Sequence, residues 1–356
     1  MSTPERKKIR VLVVDDSAIV RKILTEALSA EPDMEVVGTA PDPYVARDKI
    51  LSLDPDVLTL DIEMPRMDGV TFLKKLMQFH PMPVIVISSL GQSSCRAAMQ
   101  ALEAGAVEVL AKPGGPYSVG ELRLALAGKI RAAAVARIRQ TGAAREAVAP
   151  KVVPAETAHH SFDSEMIVAI GASTGGTEAI ADVLVEMPAE SPGILITQHI
   201  PANFSRAFAE RLNRICKMEV REAVDGDEVR PGLALVAPGD FHMVLRKSAA
   251  KRWVAVKDGP RVCYQRPSVD VMFRSVAETV KASAIGVLLT GMGSDGANGM
   301  LEMKRAGALT IAQDEDSCVV FGMPREAIRL QGVDRVLPLS RIAGAIVGAL
   351  AAAARR

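Results

Sequence analysis

Five short strand-like runs, Val11–Val14, Glu35–Gly38, Val57–Leu60, Val84–Ile87 and Val107–Leu110, are separated by amphipathic stretches long enough to be helices. Strands alternating with helices build a parallel sheet covered by those helices, and few other folds accept the pattern. A second series opens at Met166, with buried-strand candidates at Met166–Ile170, Ile194–Thr197, Leu233–Ala237 and Ile285–Thr290. The expected fold class is therefore α/β throughout. Residues Val244–Val262 alternate around Trp253-Val254-Ala255-Val256 and carry a Lys257-Asp258-Gly259-Pro260 turn, which predicts an antiparallel hairpin inserted into the second sheet. At 356 residues the chain exceeds one ordinary core. Between the two series the pattern dissolves into Ala, Arg, Pro and Thr, including Ala149-Pro150 and Val153-Pro154, as a solvated linker does. The expected division is a first domain over 8–130, a linker over 131–164 and a second domain over 165–350.

Composition removes several functional classes. Hydrophobic residues make up 49% and charged residues 24%, enough apolar material for packed interiors. A formal net charge of +1 gives no bulk attraction to nucleic acid, and neither a zinc-finger spacing nor a helix-turn-helix pattern is present. The first apolar run stops at Asp15, too short for a signal peptide, and no stretch reaches the roughly 18 apolar residues of a membrane span. Four scattered cysteines with no CxxC pair suit a reducing compartment. The expectation is a cytoplasmic protein that neither binds nucleic acid nor inserts into a membrane.

The chemistry of the first domain gathers at strand ends. The first strand ends in Asp15-Asp16 and the third in Asp61, so three carboxylates meet at the carboxyl edge where doubly wound sheets place ligands. Clustered like charges need a cation, and oxygen-only ligation suits Mg²⁺. Ser88 ends the fourth strand and Lys112-Pro113 follows the fifth, adding a hydroxyl and an ammonium that bind phosphoryl oxygens. Asp61 stands centrally for aspartyl-phosphate chemistry. One such Asp alone reads as a helix cap; the set does not.

The segments Val13-Val14-Asp15-Asp16-Ser17, Asp61-Ile62-Glu63-Met64-Pro65-Arg66-Met67-Asp68-Gly69 and Lys112-Pro113 resemble a response-regulator receiver domain of flavodoxin-like fold. That resemblance implies Asp61 as phosphoacceptor and a sensor histidine kinase as phosphodonor. It also implies Mg²⁺ held by Asp15, Asp16, Asp61 and the Glu63 carbonyl, with Ser88 and Lys112 on the phosphoryl group. Val109 departs from the pattern, because receivers usually carry an aromatic switch residue three positions before the lysine.

In the second domain the strand Met166–Ile170 runs into Gly171-Ala172-Ser173-Thr174-Gly175-Gly176 and then a helical pattern with Ile180, Leu184 and Met187 on one face. Gly-x-Ser-x-Gly between strand and helix matches a nucleophile elbow, and backbone N–H groups around Thr174 can help hold an oxyanion. A glycine-rich phosphate loop is the rival reading, but the GxGxxG order and the Walker lysine are missing. The hydrolase reading needs a base and an acid at neighbouring strand ends. His199 follows the strand Ile194–Gln198 directly. His242, after the Ala237-Pro238-Gly239 turn, reads as a residue of the site wall. Asp295 sits in Gly291-Met292-Gly293-Ser294-Asp295-Gly296 after Ile285–Thr290, and alone would pass for an Asp-Gly turn.

Together, Ile170–Glu178, Gln198-His199-Ile200-Pro201, Leu289–Gly296 and Arg266-Pro267-Ser268-Val269-Asp270 resemble the protein-glutamate methylesterase family of chemotaxis over roughly 165–350. The resemblance implies a doubly wound, mostly parallel esterase domain with Ser173, His199 and Asp295 as its triad. Backbone donors at Met292 and Thr174 would form the oxyanion hole, and ester hydrolysis would need no cofactor. The implied substrates are methylated glutamates on the cytoplasmic helices of chemoreceptors, releasing methanol, with glutamine deamidation as a second activity. Phosphorylation of Asp61 would relieve inhibition by the receiver. A noncatalytic signalling adaptor with a vestigial Ser-His-Asp set is the competing class.

Overall fold

Val57–Asp61 and Val84–Ser88 are buried along their whole length, as strands covered on both faces require. The computed structural model describes residues 8–112, 119–138, 162–249 and 251–355. Pro113 and most of the expected linker, including Arg139, Arg145, Lys151, His159 and His160, lie outside these residues. The chain divides into two units, Met1–Glu146 and Ala147–Arg356.

The first unit runs β1 (Ile9–Val14), α1 (Ala18–Ser29), β2 (Met34–Ala40), α2 (Pro43–Leu53), β3 (Val57–Asp61), α3 (Gly69–Phe79), β4 (Val84–Ser88), α4 (Gln92–Glu103), β5 (Glu108–Ala111) and α5 (Val119–Ala134). Its parallel sheet has the order β2-β1-β3-β4-β5. The order reverses between β1 and β3, which opens a crevice outside their carboxyl ends. Val14 pairs with Leu60, so the next residues, Asp15 and Asp61, face that crevice side by side. Side chains start the helices: Ser17 caps α1, Asp42 caps α2 ahead of Pro43, and Asp68 caps α3. Helix α5 continues past residue 130. Arg131 bonds Glu31 and Asp33, each at 2.7 Å, and so fastens the end of α5 to the α1–β2 turn instead of joining a solvated linker.

The second unit runs β6 (Ile167–Ala172), α6 (Gly176–Val185), β7 (Gly193–Gln198), α7 (Phe204–Ile215), β8 (Glu219–Glu222), β9 (Leu233–Val236), β10 (His242–Lys247), β11 (Arg252–Lys257), α8 (Val269–Val280), β12 (Ala284–Leu288), α9 (Ala297–Arg305), β13 (Leu309–Gln313), α10 (Met323–Arg329), β14 (Arg335–Leu337) and α11 (Leu339–Ala353). Seven strands form a parallel sheet ordered β14-β13-β12-β6-β7-β9-β8. Its switch point lies at β6, with β7 on one side and β12 on the other. The carboxyl ends of these three strands are the ones that carry Ser173, His199 and the loop to Asp295.

The hairpin corrects the sequence reading in two respects. Strands β10 and β11 pair antiparallel but form their own two-stranded sheet, outside the seven-stranded one. They dock on α8, where the Ser275 hydroxyl accepts from Leu245 N–H at 2.9 Å, while Met243, Leu245 and Val254 join the core. The chain reverses between Ser248 and Lys251, and Lys257–Pro260 leads away from β11. Period-two alternation marks a half-buried strand but does not say which sheet owns it. Strands β8, β13 and β14 had no strong pattern. Both β8 and β14 are short, charged edge strands. Among the described residues no helix is long and apolar enough to cross a membrane.

Gly69 shows how tightly the first crevice is built. A Cβ there would stand 2.1 Å from the Asp61 carbonyl oxygen and 2.7 Å from the Ile62 Cα, both backbone atoms. Gly69→Ala is expected to destabilise the first unit by about 1–3 kcal/mol, as overpacking does. Amide hydrogen exchange should then accelerate in β3 and stay unchanged in β6.

Candidate functional sites: an acidic crevice and a Ser-His-Asp cluster

In the first unit Asp15, Asp16 and Asp61 bring carboxylate oxygens within 4.8 Å of one another. Asp15 and Asp61 are fully buried and Asp16 is exposed. Lys112 Nζ donates to Asp61 Oδ2 at 2.6 Å, and Glu63 N–H donates to Asp61 Oδ1 at 3.0 Å. The second buried oxygen of Asp15 has no hydrogen-bond partner, although the Lys112 ammonium lies 3.2 Å away without the geometry for one. Burial pushes Asp61 up to about 6 and also raises Asp15, with Lys112 opposing both. Burial works against the Lys112 ammonium as well, but Asp61 and Asp15 hold it above its usual range. One ammonium against three carboxylates leaves excess negative charge and an orphaned oxygen, which a hard divalent cation such as Mg²⁺ would satisfy.

The remaining receiver residues are also near this crevice. Ser88 is buried, and its hydroxyl makes only long contacts of 3.3 and 3.4 Å to the Ser89 and Ser94 carbonyls. The Glu63 carboxylate turns the other way, accepting from the hydroxyls of Ser89 and Ser94. Val109 is fully buried on β5 opposite Val86.

In the second unit the glycine turn after β6 is held from several sides. Ser173 N–H donates to the Thr290 carbonyl at 3.0 Å, and Gln198 Nε2 donates to the Ser173 carbonyl at 2.8 Å. Gly175 adopts φ +75°, in the left-handed region open to glycine. A Cβ on Gly291 would lie 2.7 Å from Ser173 Cβ, so the Gly291-Met292 turn runs directly against the serine. The Thr290 hydroxyl donates to the Thr174 carbonyl at 3.0 Å.

His199 N–H donates to the Ala172 carbonyl, one residue before Ser173. Its Nε2 lies 2.7 Å from Asp295 Oδ2, while its Nδ1 is buried with no partner. Asp295 is the most fully bonded group of the cluster. It accepts from the Ser268 hydroxyl at 2.8 Å, Val269 N–H at 2.8 Å and Asp270 N–H at 3.0 Å, all at the N-terminus of α8. Burial acts to raise this carboxyl, but the His199 hydrogen bond and charge, with the Asp270 amide and Ser268 hydroxyl, hold it below its ordinary value. A helix N-terminus favours the same ionised form.

His242 is engaged elsewhere. Its Nδ1 accepts from Ser268 N–H at 3.2 Å, which leaves Nε2 to donate to the Pro260 carbonyl at 2.9 Å. Both nitrogens are committed, so the residue braces the start of α8. Sequence reasoning placed Ser268 only by resemblance. Its serine before Val269-Asp270 does signal a helix start, but nothing in the pattern says that this start faces Asp295.

The two clusters and their sheets define a class: an aspartate-rich receiver-type crevice joined in one chain to an α/β unit with a serine-hydrolase constellation. The model of the response regulator receiver domain matches residues 11–123, and that of the CheB methylesterase matches residues 168–346. The chain is 56% identical to protein-glutamate methylesterase/protein-glutamine glutaminase 2 of Syntrophus aciditrophicus, across 96% of this chain and 98% of that one. It is 52% identical to the protein-glutamate methylesterase/protein-glutamine glutaminase of Salmonella typhimurium, across 97% and 98%. The crystal structure of the Thermotoga maritima CheB methylesterase catalytic domain superposes with a TM-score of 0.51 at 37% identity, covering 52% of this chain and 98% of that one. The chain belongs to the CheB methylesterase family, with a receiver domain at its N-terminal end.

The raised Asp61 carboxyl has a thermodynamic consequence. Its folded value of about 6 lies above the ordinary 3.8, so the folded unit binds this proton more tightly than the unfolded chain does. Stability of the metal-free first unit therefore falls as pH rises through that interval. Mg²⁺ is expected to raise the unit's melting temperature at pH about 7.5, with the gain shrinking near pH 5 as protons compete. Asp61→Asn should raise the metal-free melting temperature at the higher pH and weaken the Mg²⁺ effect, both measurable by calorimetry.

Proposed function

We propose that this protein hydrolyses glutamyl methyl esters on the cytoplasmic helices of chemoreceptors, deamidates glutamines at similar positions, and does so under control of phosphorylation at Asp61. The observation that carries the reading is His199, fixed by Asp295 through Nε2 and left with a buried, unpaired Nδ1 beside the strand end that bears Ser173. In this assignment Nδ1 removes the proton from Ser173 Oγ as that oxygen attacks the ester carbonyl carbon. Asp295 stabilises the resulting imidazolium, and the backbone N–H groups of Met292 and Thr174 receive the oxyanion. Collapse of the tetrahedral intermediate breaks the bond to the methoxy oxygen, which takes the proton from His199 and leaves as methanol. Water, deprotonated by the same nitrogen, then attacks the acyl-serine and frees the carboxylate. With a glutamine substrate the same steps release ammonia.

In the receiver, which we place from residue 8 through the end of α5 at Ala134, Asp61 accepts the phosphoryl group from a sensor histidine kinase. Asp15, Asp16, Asp61 and the Glu63 carbonyl would hold Mg²⁺, whose charge when bound offsets that of the carboxylates and phosphoryl oxygens. Lys112 and Ser88 contact the phosphoryl oxygens. We place the esterase domain over 165–350, with the residues between α5 and 165 as the connection, and the protein in the cytoplasm.

Methanol release from methylated receptors tests the catalytic roles. Ser173→Ala should lose about 10³-fold or more in turnover, and His199→Ala a comparable amount. His242→Ala should lose less, through looser support of α8, and Asp295→Asn should slow the reaction because an amide cannot stabilise the imidazolium. Near-normal methanol release by Ser173→Ala would exclude covalent serine catalysis, whereas no methanol release and no capture of a serine-directed probe by the wild-type chain would leave the noncatalytic adaptor.

Regulation is tested separately. Mg²⁺ with a small phosphodonor should raise methanol release by the wild-type chain, and Asp61→Asn should not respond, although its Ser173 still reacts with a serine-directed probe. A normal response by Asp61→Asn would reject Asp61 as the phosphoacceptor.

A further inference from the structure

The loop leading to Ser268 contains a tight turn with two consecutive left-handed residues. Val262 and Gln265 exchange both backbone hydrogen bonds, at 3.0 and 2.8 Å, so Cys263 and Tyr264 form a two-residue hairpin tip. Both residues have positive φ, 49° and 64°. Glycine or asparagine ordinarily fills such positions, and side chains like these occupy them only under strain. One of the two tip residues faces the Ser-His-Asp cluster, with Cys263 Sγ within 4.8 Å of carboxylate oxygens of Asp270 and Asp295. The other, Tyr264, is 89% exposed.

Two loops whose backbones border the cluster also carry exposed apolar side chains. Asp240 N–H donates to the Arg266 carbonyl at 3.2 Å, which sets the exposed Phe241 beside this loop. A Cβ on Gly239 would meet Ala202 N at 2.4 Å, so the loop that carries Phe241 also packs three residues beyond His199. Met292 is exposed and follows the glycine that touches Ser173. Phe241 and Tyr264 are the exposed aromatic residues among the described residues of this unit; its other exposed large apolar side chains are Val185, Ile215, Val224 and Val336. Single exposed aliphatic residues need no explanation, whereas rings gathered on the loops around a reactive serine do.

We infer that Tyr264, Phe241 and Met292 form a docking rim for the amphipathic receptor helix that carries the scissile glutamyl ester, with Tyr264 as its main contact. The inference rests on the substrate assigned under Proposed function and extends it from the reacting group to the helix around it. A helix offers flanking apolar side chains one turn from the ester, and rings at the mouth of the site supply contact area with little conformational entropy to lose. The contact precedes chemistry, so it governs KM more than kcat.

The test uses the full-length chain with methylated receptor as substrate and an uncharged phosphonate as a small probe of Ser173. Tyr264→Asn removes the ring but retains a residue that tolerates the left-handed conformation. It should raise KM for the receptor about 5- to 20-fold, as expected for a lost docking contact, with kcat and phosphonate capture changed less than about two-fold. Tyr264→Phe should restore most of the affinity, and adding Phe241→Ala to Tyr264→Asn should raise KM further. An unchanged KM in the double variant would overturn the inference. So would an equal loss in receptor turnover and phosphonate capture, which assigns the turn to site integrity. A rise in activity of the unphosphorylated Tyr264→Asn chain would mean that the ring contacts the receiver unit instead. If the wild-type chain captures phosphonate but releases no methanol from methylated receptors, the substrate assignment has failed before the rim is tested.

Discussion

The Asp295 carboxylate organises the second unit. A buried anion is tolerable only when donors replace water, and here the start of α8 provides two amides and a hydroxyl while His199 provides the fourth contact. The arrangement constrains everything around it. Helix α8 must begin at Ser268, the loop after β12 must deliver Asp295 to that point, and the His199 ring must turn its Nε2 toward the acid. Its Nδ1 is then the nitrogen left for other chemistry. Close packing beneath enforces the fit: a Cβ on Gly171 would stand 2.2 Å from Val269 Cγ1.

The first unit treats its buried carboxylates in the opposite way. Asp15 and Asp61 share a single ammonium, and one oxygen has no hydrogen bond at all. Both units place reactive groups beyond strand ends at a switch point, as doubly wound sheets do. The Asp295 carboxylate is hydrogen-bonded on all sides within the protein, which favours its ionised form. The charge in the receiver crevice is deliberately under-compensated, so the folded unit gains stability from whatever cation it takes up.

Much of this was legible in the sequence. Buried parallel strands read as continuous apolar runs, and the candidates at their ends, Asp15, Asp61, Ser88, Ser173 and His199, stand out as sets and through the glycine pattern around the serine, not one by one. What pattern could not supply was assignment between elements. The alternation around Trp253 identified a hairpin but not its separate sheet or its turn. Arg131 opens the expected linker, yet it holds acids of the first unit, because an arginine at a helix end reads the same whether or not a carboxylate waits across a turn. Asp295 needed the other members of the cluster to be recognised, and the role of Ser268 depends on a contact 27 residues away in sequence. Edge strands β8 and β14 escaped notice because half-exposed, charged segments carry little periodic signal.

The separate hairpin supports the site from outside the parallel sheet. His242 stands at the first residue of β10 and reaches the Ser268 amide, so the hairpin is connected to Asp295 without contributing a strand to the seven-stranded sheet. Met243, Leu245 and Val254 of the hairpin share one core with α8, so the ribbon is seated by side-chain packing and not by strand pairing with the sheet. The acid is therefore braced from outside the sheet, through one histidine and a two-stranded ribbon.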